Sequence, residues 1–220
     1  MTASSGKLVE PGSLVDRLVV VIRDDILGGA YAPGAHIGIR KIADAHGVSM
    51  IPVREALARL LASRLVRVEP NRGYFVAAKP TTAEFAQFIQ FRELFETSAV
   101  ALGFENVTQG EIKQLRRLNA QMRKMASQET SSKADWGRLN GAFHLVLIGL
   151  ARNDFITEEY ENLSFDHMHF QMARASDIEF TSLTLLVAQH DEMIEALEVR
   201  DKPRLLACLS AHINNLKLPV

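Results

Sequence analysis

The sequence predicts a mainly α protein: an N-terminal winged helix-turn-helix over residues 1–78, then an antiparallel bundle of six or more helices over residues 79–220. Three observations carry this. Residues 40–61, RKIADAHGVSMIPVREALARLL, read as two short helices joined by a tight turn. Two β-rich runs, residues 65–69 and 73–77, follow directly. After Thr82 the apolar residues recur at helical spacing, and no run alternates as a strand does.

Each element has its own justification. Ser13 is placed to cap a first helix whose apolar stripe is Leu14, Leu18, Val21, Ile22 and Ile26. Gly28 and Gly29 end it, and Tyr31-Ala32-Pro33-Gly34 makes a turn. In the central stretch Ile42 and Ala43 point inward, and Ala43 is small enough to admit a close neighbour. Gly47 stands where the first helix must stop, because a left-handed residue there costs glycine nothing. Ser49 is a good N-cap, and Pro52 falls in the first turn, where its missing N–H does no harm. Val53, Ala56, Leu57, Leu60 and Leu61 form the buried face, leaving Met50, Arg54 and Ala58 outside. An ordinary αα-hairpin accounts for the stripe but not for the turn chemistry or the outward arginine. Pro70-Asn71-Arg72 joins the two β-rich runs into a wing, and Lys79-Pro80 makes a short linker.

The second half is helical throughout. Residues 82–104 carry Phe85, Phe88, Phe95, Ala99 and Leu102; Thr108 caps a helix through Ile112, Leu115, Leu118 and Met122. A polar loop at 128–133 leads to a helix over 135–151 with Phe143, Val146, Leu147 and Leu150. Asn153 or Asp154 caps a longer segment with Ile156, Tyr160, Leu163 and Phe170. Thr181 or Ser182 opens 183–197, and Asp201, with Pro203 two residues on, opens 205–216. Short connections between so many helices favour an antiparallel bundle.

Histidines supply the chemistry. Asn140 and His144 share one helical face, His190 lies in the stripe Leu183, Val187, Ile194 and Leu197, and His212 lies between Leu205, Leu209 and Leu216. A lone histidine on an apolar face is ordinarily a hydrogen-bonded core residue. Three on separate inward stripes are harder to bury without partners. Converging, they offer three nitrogens and an amide oxygen to a divalent metal, with positions left open for ligand. Arg92, on the stripe of Phe85, Phe88 and Phe95, either meets an anion inside or makes a surface pair with Glu96.

Two resemblances sharpen these expectations. GVSMIPVREALARLLASRLV followed by RGYFV resembles the N-terminal domain of the GntR family of bacterial transcription regulators, whose usual core is G-V-S-R-T-P-V-R-E-A-L. The chain matches that core at all but two positions. The resemblance implies a DNA-facing set of Arg40, Ser49, Met50, Arg54, Arg72 and Gly73. Met50 departs from it, putting an apolar side chain where a cationic contact is usual. Downstream, N140-G-A-F-H144, Q189-H190 and H212-I213 are similar to the D-x3-H, E/Q-H and H-I/L of the all-helical FCD branch. That branch implies metal ligands Asn140, His144, His190 and His212, with Arg92 on the carboxylate of a small organic acid. Asn140 replaces the usual Asp, so the ion's charge calls for an anionic ligand. His167 and His169 fall outside the pattern, and His36 and His46 belong to the DNA-binding head.

Composition agrees. A length of 220 residues suits one or two domains, and 47% hydrophobic content supplies real cores. The net charge of −1 hides an asymmetry: residues 1–79 hold 11 Lys and Arg against 7 Asp and Glu, and the remainder is acidic. A basic head on an acidic body suits a protein that binds DNA at one end. Cys208 is the single cysteine, so no internal disulfide exists. No run of about 18 apolar residues suggests a membrane span, and MTASSGKLVEPGS lacks the apolar segment of a signal peptide. The expectation is a cytoplasmic homodimeric regulator, probing an inverted repeat in double-stranded DNA and responding to a small carboxylate beside Zn, Ni or Mn. The rival is a metal-dependent hydrolase or lyase with an accessory winged-helix module. It lacks an acidic residue at fixed spacing from the histidines, as in H-E-x-x-H.

Overall fold

The computed structural model describes residues 13–78, 81–127, 133–163 and 183–215. It divides into two compact units between Ala77 and Ala78.

In the first unit α1 spans Leu14–Gly28. Ser13 and Asp16 form a reciprocal capping box, and Gly29 ends the helix at φ 85°. Leu18, Ile22, Ile26 and Leu27 are buried, while Leu14, counted with them by spacing, is 40% exposed at the rim. α2 (Ile39–His46) ends at Gly47 with φ 64°, and α3 (Met50–Ala62) packs against α1 and α2. Ser49 occupies the N-cap of α3, but its side chain makes no capping hydrogen bond, contrary to the expectation from its type. Val53, Ala56, Leu57 and Leu60 are buried. Arg59 reaches back to Asp16 at 2.6 Å, which ties α3 to the start of α1.

The wing is β2 (Val66–Glu69) and β3 (Gly73–Val76), turning through Asn71 at φ 60°. A two-residue strand, β1 (His36–Ile37), adds to β3, giving an antiparallel sheet of order β1-β3-β2 with Ile37 opposite Tyr74 and Arg67 opposite Phe75.

The second unit contains six α-helices among the described residues. α4 spans Thr82–Gly103 and runs into a 3₁₀ turn, Phe104–Asn106. α5 is Gln109–Ala126, α6 Lys133–Gly149, α7 Asp154–Leu163, α8 Leu183–Glu198 and α9 Lys202–Asn214. Capping boxes Thr81–Glu84 and Thr108–Glu111 start α4 and α5, Asn153 accepts from the Ile156 N–H at 3.3 Å, and Asp201 caps α9. α8 and α9 form a hairpin; α5 packs on α6 and α8, and α4 on α9 and α6. Leu102, assigned by spacing to the buried stripe of α4, is instead 62% exposed. Lys133, expected at the end of the 128–133 loop, already begins α6; the rest of that loop, the expected caps at 181–182, the linker pair Lys79-Pro80, Phe170, Leu216, His167 and His169 lie outside the described residues.

Gly103 is where α4 meets the end of α6. A Cβ there would stand 2.0 Å from the Leu150 carbonyl carbon. Asn106 then donates to the Leu150 carbonyl at 2.9 Å, locking the crossing.

Candidate functional site

The second unit brings three histidines together. His144 comes from α6, His190 from α8 and His212 from α9, at 0%, 0% and 2% exposure. One ring nitrogen of each falls within 4.8 Å of the others. The other nitrogen is engaged in every case. His144 Nδ1 donates to Glu96 Oε2 at 2.7 Å, His190 Nδ1 to Asn119 Oδ1 at 3.3 Å, and His212 Nδ1 to Gln189 Oε1 at 3.0 Å. With acceptors fixing the proton on Nδ1, the lone pairs sit on Nε2 and face inward. His144 Nε2 and His212 Nε2 lie 3.2 Å apart. Two neighbouring nitrogens bound about 2.0–2.1 Å from one ion would be separated by about 2.8–3.0 Å if it is octahedral and about 3.3–3.4 Å if it is tetrahedral. Among the described residues, His190 Nε2 is buried with no hydrogen-bond partner. An orphaned imidazole lone pair beside two others is a donor set that fits a divalent metal. Asn140 is 5% exposed, one turn before His144 on α6.

Glu96 organises one side of the cluster. Its carboxylate takes Arg92 Nε at 2.5 Å on one oxygen and His144 on the other. Both Arg92 and Glu96 are buried, at 0% and 1% exposure, so the solvent-facing i,i+4 pair considered from sequence is not what forms. α4 is apolar around most of its circumference, so this pair lies inside. Burial alone would push the Glu96 carboxyl up, but Arg92 and His144 hold it down at about 2. Arg92 Nη2 also lies 3.4 Å from His144 Nε2, which puts a guanidinium at the edge of the histidine cluster. Burial, reinforced by the neighbouring His144 and Arg92, keeps His190 well below the ordinary histidine range and therefore neutral.

Asn119 on α5 does more than hold His190. Its amide donates to Val187 O at 3.0 Å and to Asp191 Oδ1 at 2.8 Å, and Asp191 in turn pairs with Arg123. The sequence reading missed Asn119. Its signal was a polar residue at a buried position between Leu115 and Met122.

The first unit presents an outward face around α3. Arg40, Ser49, Met50 and Arg54 are all exposed there, with Met50 at 46% and the neighbouring Ile51 at 76%. Arg72, 68% exposed at the wing tip, precedes Gly73, whose φ of 91° suits glycine. Arg67 and Arg72 both pair with Glu69 and lie 4.9 and 5.1 Å over the Phe75 ring. His36 and His46 are exposed, and His36 packs edge-on against Phe75. Cys208, placed by spacing among apolar residues, is only half-buried and contacts Glu192 at 3.7 Å.

Comparison with known proteins completes the description. Residues 14–76 match the family described as bacterial regulatory proteins, gntR family, and residues 87–215, more than half the chain, match the FCD domain. The chain is 24% identical over 206 residues to the HTH-type transcriptional repressor RspR of Escherichia coli K12, covering 89% of this chain and 84% of that protein. It is 28% identical over 186 residues to the Nta operon transcriptional regulator of Aminobacter aminovorans, covering 83% of each. Its fold is shared with E. coli McbR/YncC at a TM-score of 0.75 and 23% identity, over 93% of this chain and 95% of that one. Among the described residues no helix is long and apolar enough to cross a membrane. A winged helix-turn-helix with an exposed basic face, a helical domain built around buried histidines, and both family matches lead to one conclusion: the chain belongs to the GntR family of DNA-binding transcription regulators, in the branch carrying an FCD effector domain.

Proposed function

We propose that the chain is a cytoplasmic homodimeric repressor whose grip on an inverted-repeat operator is modulated by a small carboxylate bound beside a divalent metal ion. The observation that carries this is that one ring nitrogen from each of three buried histidines falls within 4.8 Å of the others, while each Nδ1 has its own acceptor. His144, His190 and His212 would hold the ion, zinc, nickel or manganese, with the Asn140 amide oxygen as a fourth donor. A bound ion there supplies Lewis-acid attraction for a carboxylate oxygen. Three imidazoles and an amide are all neutral, so they leave the ion's double charge for an anion to balance. Arg92, buried at the edge of the cluster, adds a second attraction for that anion. Arg40, Ser49, Met50, Arg54, Arg72 and Gly73 form the face that meets DNA, and a two-fold dimer would set two such faces on the half-sites. Carboxylate binding switches operator affinity only through its differential affinity for the DNA-competent arrangement.

The rival enzymatic reading needs a general base. Glu96, the carboxylate placed at the cluster, is occupied by Arg92 and His144. The test measures fluorescence anisotropy on a selected operator, with zinc, nickel or manganese and a panel of small carboxylates, alongside metal content. Carboxylate should release DNA from the metal-loaded protein. Stoichiometric metal in a His190→Ala, His212→Ala double variant would remove the proposed site, and product accumulation from any carboxylate would favour the enzyme.

A further inference from the structure

The first turn of α3 carries two large apolar side chains in water. Met50 is 46% exposed and Ile51 76% exposed, whereas Val53, Ala56 and Leu57 just beyond them are fully buried. Neither belongs to the core of the first unit. They flank a cation, because Arg54 follows Met50 by four residues and Ile51 by three, and both spacings place side chains side by side on a helix. The other charges of α3 are taken: Arg59 pairs with Asp16 and Glu55, which turns that edge toward α1. What remains outward at the start of the helix is Met50, Ile51 and Arg54, with Arg40 and Lys41 of α2 also exposed.

In a helix-turn-helix the start of the second helix is the part that reaches base edges in the major groove. The groove is about 12 Å wide, close to a helix with its side chains. Its edges offer hydrogen-bonding groups and one apolar group, the 5-methyl of thymine. An apolar pair carried into that groove beside an arginine finds a complementary surface only there.

Resting on the DNA-facing role proposed above for α3, we propose that Met50 and Ile51 read thymine methyl groups in each operator half-site, while Arg54 between them takes a phosphate or a guanine. Ile51 is the sharper reader. Its β-branched side chain has little rotamer freedom to lose, whereas Met50 keeps three rotatable bonds and tolerates displacement.

The experiment uses the full chain and an operator enriched from random duplex DNA. Each thymine of the enriched half-site is replaced singly by deoxyuridine, which removes only the methyl. Deoxyuridine at the thymines facing α3 should weaken binding about fourfold per methyl, the effect of one buried CH₂. Ile51→Ala should abolish sensitivity at one of these positions and Met50→Ala at the other. The thymine-to-uracil ratio should stay constant between low and high salt while overall affinity falls, because a methyl contact releases no counterions. Both side chains are exposed, so the variants should keep the wild-type circular dichroism spectrum and melting point. Equal binding of thymine and uracil operators overturns the proposal, as does a uracil penalty that persists in both alanine variants. Failure to enrich any sequence overturns it too, together with the assignment of α3 as a base reader.

Discussion

Replacing Gly103 with alanine should destabilise the second unit severely. The backbone there, φ −93° and ψ −2°, suits alanine, and helix propensity alone would favour it by about 0.8–1 kcal/mol. Space decides otherwise. The new Cβ would lie 2.0 Å from the Leu150 carbonyl carbon and 2.2 Å from both the Leu150 oxygen and the Ala151 nitrogen. All three are backbone atoms, so no side chain can swing away. α4 must retreat from the end of α6, which costs about 1–3 kcal/mol as overpacking. The retreat also strains the Asn106–Leu150 hydrogen bond, worth about 1 kcal/mol, and loosens the core cluster that includes Val100, Phe104 and Ile148. A net loss of about 3 kcal/mol should lower Tm by roughly 6–12 °C. Trp136, the single tryptophan, is buried in α6, so its fluorescence reports this unit alone. Gly137→Ala is the control of opposite sign: no described atom lies within 4 Å of its Cβ position, and it should stabilise by about 0.5–1 kcal/mol. A Gly103→Ala protein that melts at or above the wild type would refute the close-approach argument.

Asn119→Leu should weaken metal binding about 10–100-fold by calorimetry, because His190 loses the acceptor that aims its Nε2; unchanged affinity would deny Asn119 that role. Removing metal with chelator should lower the Trp136-detected melt, by about 2.7 kcal/mol if the free ion had been held at about 100 times its Kd. Identical melts before and after would argue against bound metal. Arg54→Ala should weaken operator binding by on the order of 1–3 kcal/mol if Arg54 reads a base, with little change in melting, since Arg54 is exposed. Met50→Arg should steepen the salt dependence by adding a phosphate contact, and an unaltered slope would place residue 50 away from DNA.

Much of the fold was legible because its signals are local. Gly47 and Gly29 stop helices at positive φ, and Ser13, Thr108 and Asp201 cap them, each within four residues of what it controls. The two-residue β1 was not legible, since its hydrogen-bonding partner is β3, nearly forty residues away. The three histidines could be placed on inward stripes, but not the acceptors behind them. Arg92 and Glu96 were visible as an i,i+4 pair, yet α4 is apolar around too much of its circumference for spacing to say which face is inside. Ser49 shows the opposite failure: residue type predicted a cap, and the hydroxyl makes none.

The wing carries a consequence for how the protein searches. Arg67 and Arg72 share the Glu69 carboxylate, so if the wing meets DNA as proposed, a phosphate would compete with that anion for the two guanidiniums. On arbitrary sequence a phosphate would have to displace it, with few other contacts to offset the exchange. At an operator, where on the proposed reading Arg40 and Arg54 would engage as well, the exchange would become favourable. A built-in competitor of this kind shortens the dwell time on random DNA more than on the target. On the proposed DNA-binding reading, the protein would leave wrong sites quickly, and Glu69→Gln should lengthen its dwell on random DNA more than on the operator.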